Sequence, residues 1–174
     1  SKSIGKMGAF HGNFGALVRA YAYIRTLGKE GINSISEDAV INANYLRTKL
    51  ENTLDLPYNR ICSHEVVFSA KTIKEKYGVN ALDISKRLID YNIHPPTMYF
   101  PLIVDEALLV EPTETESKET LDDFIYVIKQ IVDEAKTDPE LLHNAPHNTP
   151  NKRLNEALAA RNPKLSWRDT QLSS

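Results

Sequence analysis

The chain has 174 residues, 41% of them hydrophobic, with 21 basic and 23 acidic side chains and a formal net charge of -2. That is enough apolar material for one ordinary core, and the interspersed charge offers no electrostatic footprint for nucleic acid or an anionic membrane surface. The single Cys62 cannot close an intramolecular disulfide, no apolar run reaches the roughly 18 to 20 residues needed to span a bilayer, and the start has no secretory pattern. A reducing compartment, the cytoplasm, is expected.

From the N-terminal end, Phe14, Leu17, Val18, Tyr21, Ile24 and Leu27 recur at helical spacing, which predicts a helix from about Asn13 to Leu27 stopped by Gly28 and Gly31. Ser36, as N-cap, followed by Glu37 and Asp38, predicts a second helix to about Asn52 with Ala39, Val40, Ala43, Leu46 and Leu50 on one face. The stretch from His64 to Ser69 is short and rich in β-branched and aromatic residues, which favours a strand. Lys71 to Lys76 forms a short helix ending near Gly78, and Asp83 to Tyr91 another, stopped at Asn92. Tyr99 to Val104 and Ala107 to Val110 are apolar runs of strand length that pair as a hairpin across Asp105 and Glu106. Ser117 then precedes a strong amphipathic helix reaching about Lys136.

The order of elements argues for an α+β domain, with a short, mainly antiparallel sheet covered by helices. From Asp138 onward, Pro139, Pro146, Pro150 and Pro163 punctuate a polar stretch. The expected division is therefore 1–137 as the domain and 138–174 as a C-terminal arm, with Leu154 to Ala160 as a short helical piece and Trp167 as a group that docks if the arm is ordered.

Three segments carry candidate chemistry. In His94-Pro95-Pro96-Thr97 consecutive prolines fix the backbone and hold an imidazole and a hydroxyl with little freedom; the plain structural role is a stiff entry into a strand. Glu111-Pro112-Thr113-Glu114-Thr115-Glu116-Ser117 can orient a cationic group, or simply supply the acidic start that a helix favours. Glu111 is the better functional candidate, because it follows an apolar strand and precedes a fixed-φ residue. Gly12-Asn13-Phe14-Gly15 has neither the GxGxxG pattern nor the Walker lysine, so His11 and Asn13 act either at a close approach or as a helix start with Asn13 as cap. No Cys/His spacing matches a metal motif, and Cys62 reads as buried and inert. His64, His143 and His147 are weak signals.

These segments, with Val18-Arg19-Ala20-Tyr21, Asn42-Ala43-Asn44-Tyr45-Leu46, Leu82-Asp83-Ile84, Tyr99-Phe100-Pro101-Leu102 and Ala145-Pro146-His147, closely resemble the C-terminal part of the glycine cleavage system P-protein family, glycine dehydrogenase (decarboxylating), in its second subunit. The resemblance implies the small domain of a fold-type-I pyridoxal-phosphate enzyme. In that enzyme glycine loses CO2 and the aminomethyl group passes to the lipoyl arm of the H-protein. It implies an upstream large domain and the other P-protein subunit as partners. It places His94, Thr97 and Glu111 at the glycine and lipoyl entrance, with His11 and Asn13 near the domain junction. The family's Schiff-base lysine follows a histidine, and none of the five histidines here precedes a lysine. The chain alone is therefore expected to be inactive and to hold no cofactor. The competing expectation is a self-sufficient, non-catalytic binding or assembly module.

Overall fold

The computed structural model describes residues 2, 3, 5, 6, 8 and 12–167. Its helices and strands, in chain order, are α1 Phe14–Leu50, β1 Val66–Ser69, α2 Lys71–Tyr77, α3 Ala81–Asp90, β2 Thr97–Met98, β3 Ala107–Val110, α4 Lys118–Thr137, α5 Pro139–His143 and α6 Glu156–Arg161. The strands form one antiparallel sheet in the order β1-β3-β2, which is the expected α+β arrangement.

Helix α1 starts where the sequence predicts: the Asn13 side chain accepts from the Ala16 amide at 3.1 Å and satisfies a donor that the helix leaves open. At Gly28 the backbone turns to φ 65°, ψ −171°, a conformation available to glycine and scarcely to other residues. The expected stop is thus a kink. The helix resumes at once, so Ser36 lies inside it instead of capping a second helix; the propensity cost of Gly31, about 1 kcal/mol, is too small to end a helix whose later turns are packed.

Those later turns supply the core. Leu46 and Leu50 of α1 pack with Phe68 of β1, Leu108 of β3, Ile84 and Leu88 of α3, and Leu121, Ile125, Ile128 and Ile131 of α4. Each fully buried aliphatic or aromatic side chain contributes roughly 1.5–3 kcal/mol. Helix α3 begins with a capping box: Asn80 Oδ1 accepts from the Asp83 amide at 2.9 Å, and Asp83 Oδ2 accepts from the Asn80 amide at 3.0 Å. Gly78 ends α2 with φ 78°, as its position after the last helical residue predicts.

The hairpin differs from its expectation. The strand is Thr97–Met98, and Tyr99 leaves it with φ 57°. Pro101 has no amide to give a ladder and restricts Phe100, so the apolar run from Tyr99 to Val104 becomes a turn closed by Tyr99 N donating to Ala107 O at 2.9 Å. Leu102 and Ile103 project outward, 87% and 82% exposed.

The segment after α4 is fastened to the body. Burial pushes the Asp90 carboxyl up, but it accepts from the amides of His147 at 2.6 Å and Asn148 at 2.7 Å and from Arg87, which together hold it below its ordinary range. Asp83 joins α3 to His143 at 3.1 Å and to Arg153 at 2.7 Å. The predicted helical piece appears as α6, and Trp167 remains exposed.

Candidate functional site

Strand register decides which of the singled-out residues meet. Thr97 pairs with Leu109 and Val66 with Val110. In an antiparallel sheet this puts the start of β1, the end of β3 and the start of β2 at one edge of the molecule. His64 and Glu65 precede β1, Glu111 follows β3, and His94 leads through Pro95 and Pro96 into Thr97. His94, Thr97 and Glu111, distant in sequence, therefore share one end of the sheet, and all three side chains are exposed. Asn13 is used as the cap of α1, and His11 lies outside the described residues.

The acidic loop is held in place from α1. Asn42 Nδ2 donates to Thr113 O at 2.9 Å and to Glu116 O at 3.3 Å, and the Tyr23 hydroxyl donates to the Glu114 carboxylate. That bond raises the Tyr23 phenol above its usual range and lowers the Glu114 carboxyl. Ser117 Oγ accepts from the Thr120 amide at 3.2 Å, so the end of the loop is the predicted cap of α4. The loop thus starts a helix at Ser117 and leaves the Glu111 side chain exposed.

On the β1 side, Asn44 of α1 donates to Cys62 O at 2.8 Å and accepts from Cys62 N at 3.1 Å. Cys62 is half-buried, not fully buried as its type suggests, and burial pushes its thiol up, away from the thiolate that reactivity needs. A cleft of about 340 Å³ opens between α1 and the acidic loop, lined by Ser36, Val40, His64, Glu111 and Thr113. His64 Nε2 stands 3.9 Å from Glu111 Oε1, and ligand atoms of His64, Glu65 and Glu111 lie within 4.8 Å of one another. Nothing in the sequence groups His64 and Glu65 with Glu111, which lies 46 or more positions away in the chain; the β1–β3 register brings them together. A larger cleft, about 970 Å³, lies at the opposite end of the sheet near Asp55, Lys71 and Asp105, and contains none of the predicted site residues.

The pyridoxal phosphate implied by the resemblance needs a lysine whose amine is neutral and shielded. No lysine in the chain is buried. Lys74, Lys118 and Lys136 are pushed the opposite way, toward a firmer ammonium, by their bonds to Glu106, Asp122 and Asp133. The residues of this chain do not by themselves fit the cofactor. Among the described residues no helix is long and apolar enough to cross a membrane.

Residues 35–151 match the family described as glycine dehydrogenase, C-terminal domain. Over 167 residues the chain is 54% identical to a Kosmotoga olearia protein and 53% identical to one from Thermotoga maritima, covering 96% of this chain and 35% of each relative. A Shouchella clausii protein is 55% identical over 166 residues, 95% of this chain and 34% of the relative. All three carry the name probable glycine dehydrogenase (decarboxylating) subunit 2, which implies a partner subunit for those proteins. The chain thus spans about a third of the length of the relatives it matches.

Proposed function

The chain belongs to the glycine dehydrogenase C-terminal domain family, and from that membership we propose that it works as the C-terminal domain of a glycine decarboxylase, subunit 2 of the P-protein. In the assembled enzyme glycine is the substrate, and the aminomethyl group passes to the lipoyl arm of the H-protein. Pyridoxal phosphate, the electron sink of such chemistry, is held by an upstream large domain. The task of this chain is to cover that domain and to form one wall of the entrance. His94 and Thr97, stiffened by Pro95 and Pro96, orient polar groups there, and Glu111 supplies negative charge beside the same opening. Residues 1–137 are the body of the domain and 138–174 the arm, which His143, His147, Asn148 and Arg153 tie to Asp83 and Asp90. A cytoplasmic location belongs to the same reading.

The observation that supports it is apolar surface left bare on the side of α1 before the kink. Phe14 is 78% exposed, Leu17 60%, Tyr21 68% and Ile24 52%. These residues lie at helical spacing on one face, and such a contiguous face marks a buried interface. The test is exchange of labelled bicarbonate into glycine, with pyridoxal phosphate and lipoylated H-protein present. We expect no exchange by this chain alone and recovery when the upstream large domain and partner subunit are added. In the recovered assembly a His94→Ala chain lowers exchange while its circular dichroism is unchanged. Exchange by the isolated chain would overturn the reading.

A further inference from the structure

We infer that His64, Glu65 and Glu111 form a binding site for a divalent transition-metal ion. The sheet itself builds it. One step beyond the last ladder pair, Val66 opposite Val110, the chain carries Glu65 on one strand and Glu111 on the other. Like charges facing each other across an antiparallel pair destabilise it. Among the described residues no hydrogen bond offsets them: Glu65 makes no hydrogen bond or ion pair, and the polar contact of Glu111 is His64 Nε2 at 3.9 Å, too long for a hydrogen bond and an ion pair only when the imidazole is protonated. Asp83, Asp90, Glu106, Glu114, Asp122 and Glu134 each meet a cationic or hydroxyl donor, whereas other carboxylates without one, such as Glu37, Glu75 and Asp123, stand singly at the surface and face no second carboxylate across a strand pair.

A cation between the two carboxylates removes that repulsion, and the imidazole selects its class. Nitrogen with carboxylate oxygen suits zinc, manganese or ferrous iron, whereas magnesium and calcium prefer an all-oxygen set. Metal–ligand bonds of about 2.0–2.2 Å put tetrahedral ligand atoms about 3.3–3.6 Å apart. The three ligand atoms lie within 4.8 Å of one another, and the exposed side chains of His64 and Glu111 close the remainder by rotation toward the half-buried Glu65. The adjoining cleft leaves room for water or a ligand group to complete the coordination. The inference does not depend on the glycine reading.

Equilibrium dialysis of the untagged chain against Zn²⁺ tests it, with histidine ring signals followed by NMR. One ion per chain is expected, with the His64 ring shifting on binding. His64→Ala and Glu111→Gln should each weaken binding about tenfold or more, since even losing a group that only supports a ligand costs 10–100-fold. His147→Ala should leave it unchanged. Without metal, Glu65→Gln should raise the urea midpoint by lifting the charge opposition, and added Zn²⁺ should erase that advantage. No saturable Zn²⁺ binding, or binding that survives in both ligand variants, overturns the site.

Discussion

Arg87 shows how much one side chain can hold. Its guanidinium makes a two-pronged contact with Glu134, Nε to Oε2 at 2.9 Å and Nη2 to Oε1 at 2.9 Å, and reaches Asp90 at 3.1 Å. Burial pushes the Glu134 carboxyl up, but Arg87 and the Tyr91 hydroxyl more than offset it and leave it below its ordinary value. Arg87→Met leaves two partly buried carboxylates without their cation and should cost about 2–3 kcal/mol in urea unfolding, somewhat below the cost for a fully buried pair. The pH dependence has a definite sign. Both carboxyls are depressed in the folded state, so their contribution is complete above the ordinary carboxylate range of roughly 4 and is lost as pH falls through the folded values. The gap between wild type and Arg87→Met should therefore be widest near neutrality and narrow in acid; a gap constant from neutral pH to acid would show that the charge pairing contributes nothing. None of this network was legible in the sequence, because Arg87 and Glu134 are on different helices. The candidate residues His94, Thr97 and Glu111 were legible, because prolines and strand ends are local signals.

At the scale of elements, caps and stops were the readable part. Asn13, Gly78, Asn92 and Ser117 all punctuate the chain where local chemistry says they should. The capping box of α3 gives the cleanest prediction. Asn80→Ala should lower stability by about 1 kcal/mol, and Asn80→Gly by only a few tenths, because glycine still allows the cap backbone. Equal losses in the two variants, read from urea midpoints, would mean that the Asn80 side chain acts through something other than the cap. The elements that departed from their patterns did so for tertiary reasons. Tyr99 to Val104 has the composition of a strand, yet Pro101 breaks the ladder and β3 takes β1 as its second neighbour. Ser36 has the chemistry of a cap, yet the helix runs through it, and the residue faces the cleft beside Glu111.

At the scale of the whole molecule, the packed half and the bare half are distinct. The core lies among the later turns of α1, the sheet and α2 to α5. The turns of α1 before Gly28, with Leu102 and Ile103 at the hairpin tip, present large apolar side chains to solvent. If that surface is an interface, substitution there should separate folding from assembly. Leu17→Glu with Tyr21→Glu should change the stability of the isolated chain by less than about 0.5 kcal/mol, as exposed positions do. The same pair of changes should abolish recovery of glycine exchange on mixing with the upstream domain. Recovery that survives both changes would place the docking surface elsewhere.

The sequence by itself determined the family, the α+β class, the helix boundaries at Asn13, Gly78, Asn92 and Ser117, and the proline-stiffened segments that carry the candidate residues. Each of these rests on interactions within a few positions along the chain, where residue type fixes backbone preference. Only the tertiary structure decided that His64, Glu65 and Glu111 converge, that Arg87 and Glu134 pair, and that the apolar face of α1 before its kink stays bare. The first is set by strand register and the second by the packing of α3 on α4, both between segments distant in sequence. A shift of a single residue in the β1–β3 register would take Glu65 out of line with Glu111.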